Sequence, residues 1–144
     1  MSTTVRQMLR GKPAVETVTP DDTVFHALRR MADRNIGAVV VVADERVVGI
    51  LSERDYARKI VLLGKLSRET AVREIMTTQV VTIDPGWTAE QCMALMNQRR
   101  IRHLPVIDED RLVGIVSIGD VVRAVVDEQQ FTIASLENYI ANGR

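Results

Sequence analysis

The sequence is poor in the residues that staple small secreted domains and in those that build metal or redox centres. Cys92 is the one cysteine, which excludes an intramolecular disulfide and makes a reducing compartment, the cytoplasm, the expected location. Its place on an apolar helical stripe reads as a small buried side chain rather than a nucleophile. His26 and His103 are the only histidines and do not stand at ligand spacing, so no metal site is expected. The longest apolar run, Ala38 to Ala43, is far short of the ~20 residues of a membrane-spanning helix, and the N-terminus has no signal-type apolar stretch. An excess of charge is missing too: 19 Lys and Arg balance 19 Asp and Glu, so the overall field gives no reason to expect nucleic acid or a membrane surface as partner. There is no G-x-G-x-x-G, and no nucleophile, base and orienting group stand together, so no catalytic residue is assigned and no enzyme is expected.

What the chain does have is apolar content, 46% over 144 residues, enough for one ordinary domain or two very small ones. It also has an internal repeat. Sliding the sequence against itself by 65 aligns Val15 to Val126 as two gapless copies. Thr17, Pro20, Thr23, Met31, Arg34 and Ile36 return as Thr82, Pro85, Thr88, Met96, Arg99 and Ile101. Arg46, Val48, Gly49, Ile50, Ser52, Asp55 and Arg58 return as Arg111, Val113, Gly114, Ile115, Ser117, Asp120 and Arg123.

Within a copy, Val15 to Val18 reads as a short strand and Pro20, Asp21 and Asp22 as a helix start. Val24, Ala27, Leu28 and Met31, matched by Ala89, Cys92, Met93 and Met96, form the stripe of an amphipathic helix. Two apolar runs then flank Asp44 to Arg46, and again Glu109 and Asp110, the composition of a tight hairpin. A second helix begins near Ser52 with Tyr56, Ile60 and Leu63, and near Ser117 with Val121, Val122 and Val125. The unit is β-α-β-β-α, an α+β class. One copy covers a single face of a small sheet, so two are expected to pack as one pseudo-symmetric module. Val5 to Leu9 and Val72 to Met76 echo each other as short helical lead-ins assigned to the repeats that follow them. The expected organisation is 5–64 for the first repeat, 65–71 for a linker, 72–127 for the second repeat and 128–144 for a helical tail. In the tail, Ile133, Leu136 and Ile140 suggest an amphipathic face that packs on the module or on a second subunit.

The sharpest feature is G-x-x-S-x-x-D at each strand-to-helix junction: Gly49, Ser52 and Asp55, then Gly114, Ser117 and Asp120. Free N–H groups at a helix start favour phosphate, and a carboxylate one turn inside accepts hydrogen bonds from two vicinal hydroxyls. Serine followed three residues later by an acid is also a capping box, and the two roles are compatible. Among the remaining residues, His26 reads as exposed and Trp87 as packing at a helix start. Arg99, Arg100 and Arg102 lack the stacking aromatics of a nucleic-acid site.

The doubled motif after a hairpin, with Arg102-His103-Leu104-Pro105-Val106 in the second copy, resembles the CBS (cystathionine-beta-synthase) domain family over Val5 to Asp127. The resemblance implies a Bateman module: a regulatory pair, commonly a homodimer, that binds AMP, ADP, ATP, NAD or S-adenosylmethionine and acts through a separate effector protein. It implies that Asp55 and Asp120 hold ribose hydroxyls and that Ser52 and Ser117 lie toward ribose or phosphate. Thr17 and Val18, and Thr82 and Ile83, would border the adenine. The two clefts would differ, since Arg102 and His103 stand where the first copy has Gly37 and Ala38. Arg102 or His103 would meet phosphate in one cleft, with Pro105 beside them, while Arg54 and Arg58 lie near the roomier other. A compact AMP-like ligand in one and a larger one such as NAD in the other is the resulting expectation.

Overall fold

The apolar runs and helical stripes resolve into strand and helix in the order the repeat predicts. The computed structural model describes residues 2–142. Its elements are α1 (Val5–Met8), β1 (Thr17–Val18), α2 (Val24–Arg34), β2 (Ala38–Ala43), β3 (Arg46–Ser52) and α3 (Glu53–Tyr56), which continues as a π-helical turn over Ala57–Val61. The second copy follows with α4 (Val72–Ile75), α5 (Ala89–Arg99), β4 (His103–Asp108), β5 (Arg111–Ser117) and α6 (Ile118–Asn142). The chain divides into two compact units. One holds Pro13–Thr82 with Ile107–Gly114, and the other joins the N-terminal segment through Lys12 to Ile83–Val106 and to the chain from Ile115 onward.

In the first of these units the sheet order is β1-β2-β3, with β1 parallel and β3 antiparallel to β2. β2 is central, and Ala38 to Val41 are buried without alternation, as a strand covered on both faces requires. The turn to β3 is two residues, Asp44 and Glu45, both at positive φ, and Glu109 and Asp110 repeat this in the second hairpin. β3 carries a bulge: Val41 pairs with Gly49 but Val42 with Val47, leaving Val48 unpaired. Thr23 caps α2 by accepting the His26 N–H, and Thr88 caps α5 by accepting the Gln91 N–H. The expected stripes face inward, with Val24, Ala27 and Met31 buried on α2 and Ala89, Cys92 and Met96 on α5. His26 is exposed.

The lead-in helices exchange partners. The Val5 N–H donates to the Trp87 carbonyl at 2.7 Å, Arg6 N–H to Pro85 at 3.0 Å, and Ala89 N–H to Thr3 at 2.8 Å. Sixty-five residues away on the partner side, Val72 N–H donates to Asp22 at 2.8 Å, Arg73 N–H to Pro20 at 3.0 Å, and Val24 N–H to Thr70 at 2.9 Å. Each lead-in therefore docks on the repeat that does not follow it in sequence. A four-residue helix has no stability of its own. α4 persists because Val72 and Ile75 are buried in the core of Val18, Val24, Met31, Val39, Val41, Leu51 and Ile60, worth about 1.5–3 kcal/mol per side chain. The connector before α4 is tied down as well: Phe25 N–H donates to Ser67, Arg68 lies 3.9 Å over the Phe25 ring, and buried Thr70 donates to the Leu66 carbonyl.

The copies depart from one another in two places with identifiable causes. In the first, Val40 N–H donates to Glu16 and β1 pairs over two residues. The second copy has Pro105 in that place, without an N–H, and only the bridge Ile83 to Val106 remains. The second departure is the π-helical turn after Tyr56. Its wider i→i+5 bonding, seen in Leu62 N–H to Ala57, shifts the phase of the stripe. Tyr56 and Ile60 pack on the core, but Leu63, expected on the same face, is exposed. α6 has no such break and runs through residue 127 to Asn142, packing on α1 and α5 through its first half. Ile133, Leu136 and Ile140 do not pack on the module.

Gly49 is where the exchange is tightest. A Cβ there would stand 2.6 Å from Met76 Sδ and 3.1 Å from the Thr77 carbonyl oxygen. Gly49→Ala is expected to lower the unfolding free energy by about 1–3 kcal/mol in urea titrations, the cost of overpacking. Arg100, which ends α5 at φ 56° in the left-handed region, offers the opposite case. Arg100→Gly is expected to raise stability by ~1 kcal/mol in the same assay, because glycine adopts that conformation without a Cβ penalty.

Candidate functional site

Both motif aspartates sit in the first turn of a helix entered straight from a strand. Ser52 Oγ accepts the Asp55 N–H at 3.2 Å, and Asp55 Oδ2 accepts the Ser52 N–H at 3.0 Å. Ser117 and Asp120 repeat the pair at 3.2 and 2.9 Å. These are capping boxes. The capping reading of the motif is thus realised in both copies, and it uses one oxygen of each carboxylate.

The other interactions of the two carboxylates differ. Asp55 Oδ1 receives Lys59 Nζ at 3.2 Å and the Thr77 hydroxyl at 3.4 Å. Asp120 Oδ2 receives Lys12 Nζ at 2.6 Å, and Asp120 Oδ1 receives Arg123 at 3.1 Å. Lys12 Nζ also donates to the Ile115 carbonyl at 2.9 Å. Burial pushes the Asp120 carboxyl up, but hydrogen bonds from Lys12 and Ser117 and the Lys12 charge outweigh it and hold the group below its ordinary value. His103 lies in the same field. Burial lowers its imidazole, Asp120 pulls the other way, and Lys12 and Arg102 lower it further, so the ring is held below its ordinary value. Cys92 is fully buried, and burial pushes its thiol up to about 11.

Asp120 lines a cleft of about 330 Å³ together with Thr3, Gln7, Met8, Lys12, Arg123, Ala124 and Asp127. Its lining carries both signs of charge and comes mostly from α1 and α6.

The other sequence-derived candidates divide between the two units. In the first, Thr17 and buried Val18 form the edge strand of the sheet. The Gly37 carbonyl accepts the Glu53 N–H at 3.0 Å, and Ala38 pairs with Ser52, so both stand at the helix start beside Asp55. Arg54 and Arg58 are exposed on the helix that follows, and Thr82 is exposed. Gly49 abuts Met76, and Gly114 is buried in β5. In the second unit the Arg102 carbonyl accepts the Ile118 N–H at 2.8 Å, the counterpart of Gly37, and the Arg102 side chain is exposed. His103 is half-buried next to Arg102, and the Pro105 carbonyl accepts the buried Ile83 N–H at 3.1 Å. Structure adds Lys12, Thr77, Lys59 and Arg123 to the neighbourhood of the aspartates. Lys12 and Thr77 were hidden in sequence because the lead-ins repeat at an offset of 67, Val5 to Val72, and not 65. Their exchange between repeats leaves no trace in spacing.

Among the described residues, no group of three or more His, Cys, Asp or Glu is placed to hold a metal ion, and no helix is long and apolar enough to cross a membrane.

This frame has known counterparts. Residues 5–62 and 72–127 each match the CBS domain model, and the chain belongs to the CBS domain family. It is 42% identical over 152 residues to CBS domain-containing protein CBSX3, mitochondrial, of Arabidopsis thaliana, covering 99% of this chain and 74% of that protein. Among solved structures it is similar to a protein with CBS domains from Burkholderia ambifaria MC40-6, at 48% identity and a TM-score of 0.84, over 91% of this chain and 99% of that one. It is also similar to the CBS domain pair of protein MJ0100, at 25% identity and a TM-score of 0.76, over 89% and 99%. That pair was solved in complex with 5′-methylthioadenosine and S-adenosyl-L-methionine.

The Asp120 ion pairs have a pH signature. Its carboxyl titrates lower when folded, so the unfolded chain takes up the proton first and the stabilisation, present above the ordinary value of ~3.9, is lost as pH falls through the lower folded value. Asp120→Asn keeps an acceptor for the Ser117 N–H and removes the charge. Denaturant titrations at stepped pH are expected to show a shallower loss of stability below about pH 4 in this variant than in the parent.

Proposed function

We propose that this chain is a non-catalytic sensor of an adenosine-containing ligand, AMP or a relative such as ADP, ATP or NAD, whose occupancy is read by a separate effector protein. The observation that carries the reading is the Asp120 carboxylate, held ionised in a cleft beside two cations and a helix start. An ionised carboxylate accepts hydrogen bonds from two vicinal ribose hydroxyls, and Lys12, Arg123 and exposed Arg102 supply the positive charge for phosphate. A ribose bound at Asp120 takes the acceptor that Lys12 Nζ now uses, and the freed ammonium turns to the phosphate. Lys12 is covalently continuous with the docked lead-in, so this substitution alters the surface around α1 and is the means by which occupancy reaches a partner.

Asp55 offers the same acceptor in the first repeat, with Ser52 beside it and exposed Arg54 and Arg58 nearby. β1 is an edge strand, and its outer backbone groups at Thr17 and Val18 are suited to an adenine edge; Thr82 and Ile83 take that role in the second repeat. Gly37 and Ala38 leave room where Arg102 and His103 do not, which supports a compact AMP-like ligand in one site and a larger one such as NAD in the other. The adenosine compounds bound by the similar MJ0100 pair support the ligand class. The balanced charge supports a small molecule over nucleic acid or membrane, the single buried thiol fits a reducing compartment such as the cytoplasm, and a homodimer is the assembly proposed.

One observation favours a second reading, a scaffold without nucleotide: each aspartate already has a capping role, and Asp120 two ion pairs, without any ligand. Melting the protein against AMP, ADP, ATP, NAD and S-adenosylmethionine separates the two. A ligand at 100 times its Kd adds about 2.7 kcal/mol, and at least one compound is expected to raise Tm. In Asp120→Ala the ligand-induced rise at that site is expected to vanish, while the unliganded protein loses the ~1 kcal/mol of a cap together with the Asp120 ion pairs and stays folded. A panel without any shift favours the scaffold reading.

A further inference from the structure

The second half of α6 carries an apolar face that nothing in its own unit covers. Inward-facing Val121 and Ala124 are buried, and past Glu128 the helix projects with both sides exposed. Five of the seven exposed large apolar residues of α6 fall on one line, with Tyr139 at its flank and Phe131 off it. Val122, Val126, Ile133, Leu136 and Ile140 are between 42% and 68% exposed, and with Gln129 they advance by 4, 3, 4, 3 and 4. A spacing of 3.5 is the signature of a seam between two helices wound on each other, whereas a helix lying on a globular surface shows 3.6 and a wider stripe. Gly119 continues the spacing at its start, making three heptads and about 30 Å of helix. There the seam opens onto a shallow apolar depression lined by Ile118, Gly119, Val122, Arg123 and Val126.

We infer that this seam pairs with the same seam of a second copy, as a parallel, in-register two-stranded coiled coil. In heptad terms Val126, Ile133 and Ile140 take position a, and Val122, Gln129 and Leu136 take d. β-Branched Val126, Ile133 and Ile140 at a, with Leu136 at one of the d positions, favour two parallel strands. Gln129 fixes the register. In a parallel pair it meets its own copy, and two amides satisfy each other's donors and acceptors. An antiparallel pair sets it against an apolar a residue and leaves a buried amide unpaired. Charge does not oppose the pairing: from Gln129 to Asn142 the helix bears one charged side chain, Glu137, at position e. In the parallel pair Glu137 faces the Thr132 position of the other strand, a hydroxyl and not a like charge. α6 is already ordered by its first half, so association does not have to supply the entropy of helix formation. Phe131, at the outer position f, stays exposed in this arrangement and serves as an internal control.

The inference deepens the self-association proposed above by naming its surface, and sedimentation of the full chain tests both. The parent is expected at or above twice the chain mass, and Ile133→Asp/Leu136→Asp at half the parent mass with unchanged circular dichroism. Phe131→Asp, the same charge placed off the seam, is expected to stay at the parent mass. Gln129→Cys under mild oxidation is expected to give a covalent dimer, since parallel register sets residue 129 opposite itself and Cys92 is buried. A monomeric parent overturns self-association altogether. An assembly that survives the double aspartate variant, dissociates with Phe131→Asp, or fails to crosslink through Gln129→Cys overturns the seam and leaves self-association standing.

Discussion

The reciprocal docking of the lead-ins is the constraint on which the rest depends. Two sets of three backbone hydrogen bonds, Val5, Arg6 and Ala89 in one and Val72, Arg73 and Val24 in the other, bind each helix start to a segment from the opposite end of the repeat pattern. Backbone donors at a helix entrance must be satisfied, and here distant chain does it. The same docking brings Lys12 to Asp120 and Thr77 to Asp55, so each candidate aspartate has one partner that belongs to the other repeat in sequence, beside Arg123 or Lys59 from its own.

From that constraint the asymmetry of the copies follows in physical steps. Both aspartates cap their own helices in the same way and meet a cation from the helical stretch that follows, Lys59 or Arg123, yet the partner from the lead-in is an ammonium at Asp120 and a hydroxyl at Asp55. Pro105 removes the donor that Val40 supplies, reducing a two-residue ladder to a bridge. His103, its imidazole held below the ordinary value by burial, stands where the first copy has Ala38. A duplicated frame has acquired two chemically distinct environments through a handful of side chains, while the hairpin turns and helix caps stayed alike.

Much of this frame was legible in the residues. Apolar runs and helical stripes placed β2, β3, α2, α5 and the hairpins, and the Asp-Glu and Glu-Asp turns marked their tips, because those patterns report local burial directly. Ser52 with Asp55 and Ser117 with Asp120 announced a helix start, and both capping boxes formed. Leu63 went astray because a helical period presumes 3.6 residues per turn, and the π-helical turn breaks that premise. Lys12 was invisible because its value comes from a partner more than a hundred residues away, across an exchange that spacing does not encode. The tail read as amphipathic, but the residues that make it so face away from its own unit.

The bulge at Val48 and the glycine beside it carry a consequence for how substitutions spread through the molecule. Gly49 touches Met76, Met76 ends the helix that leads into the second copy, and Thr77, next in line, reaches Asp55. A change in side-chain volume on a strand of the first copy is thus felt at the threshold of the second without crossing solvent. Mutational sensitivity along this chain should accordingly follow the interlaced threads of the fold, with damage at one end of the sequence surfacing in the half that lies farthest from it in order.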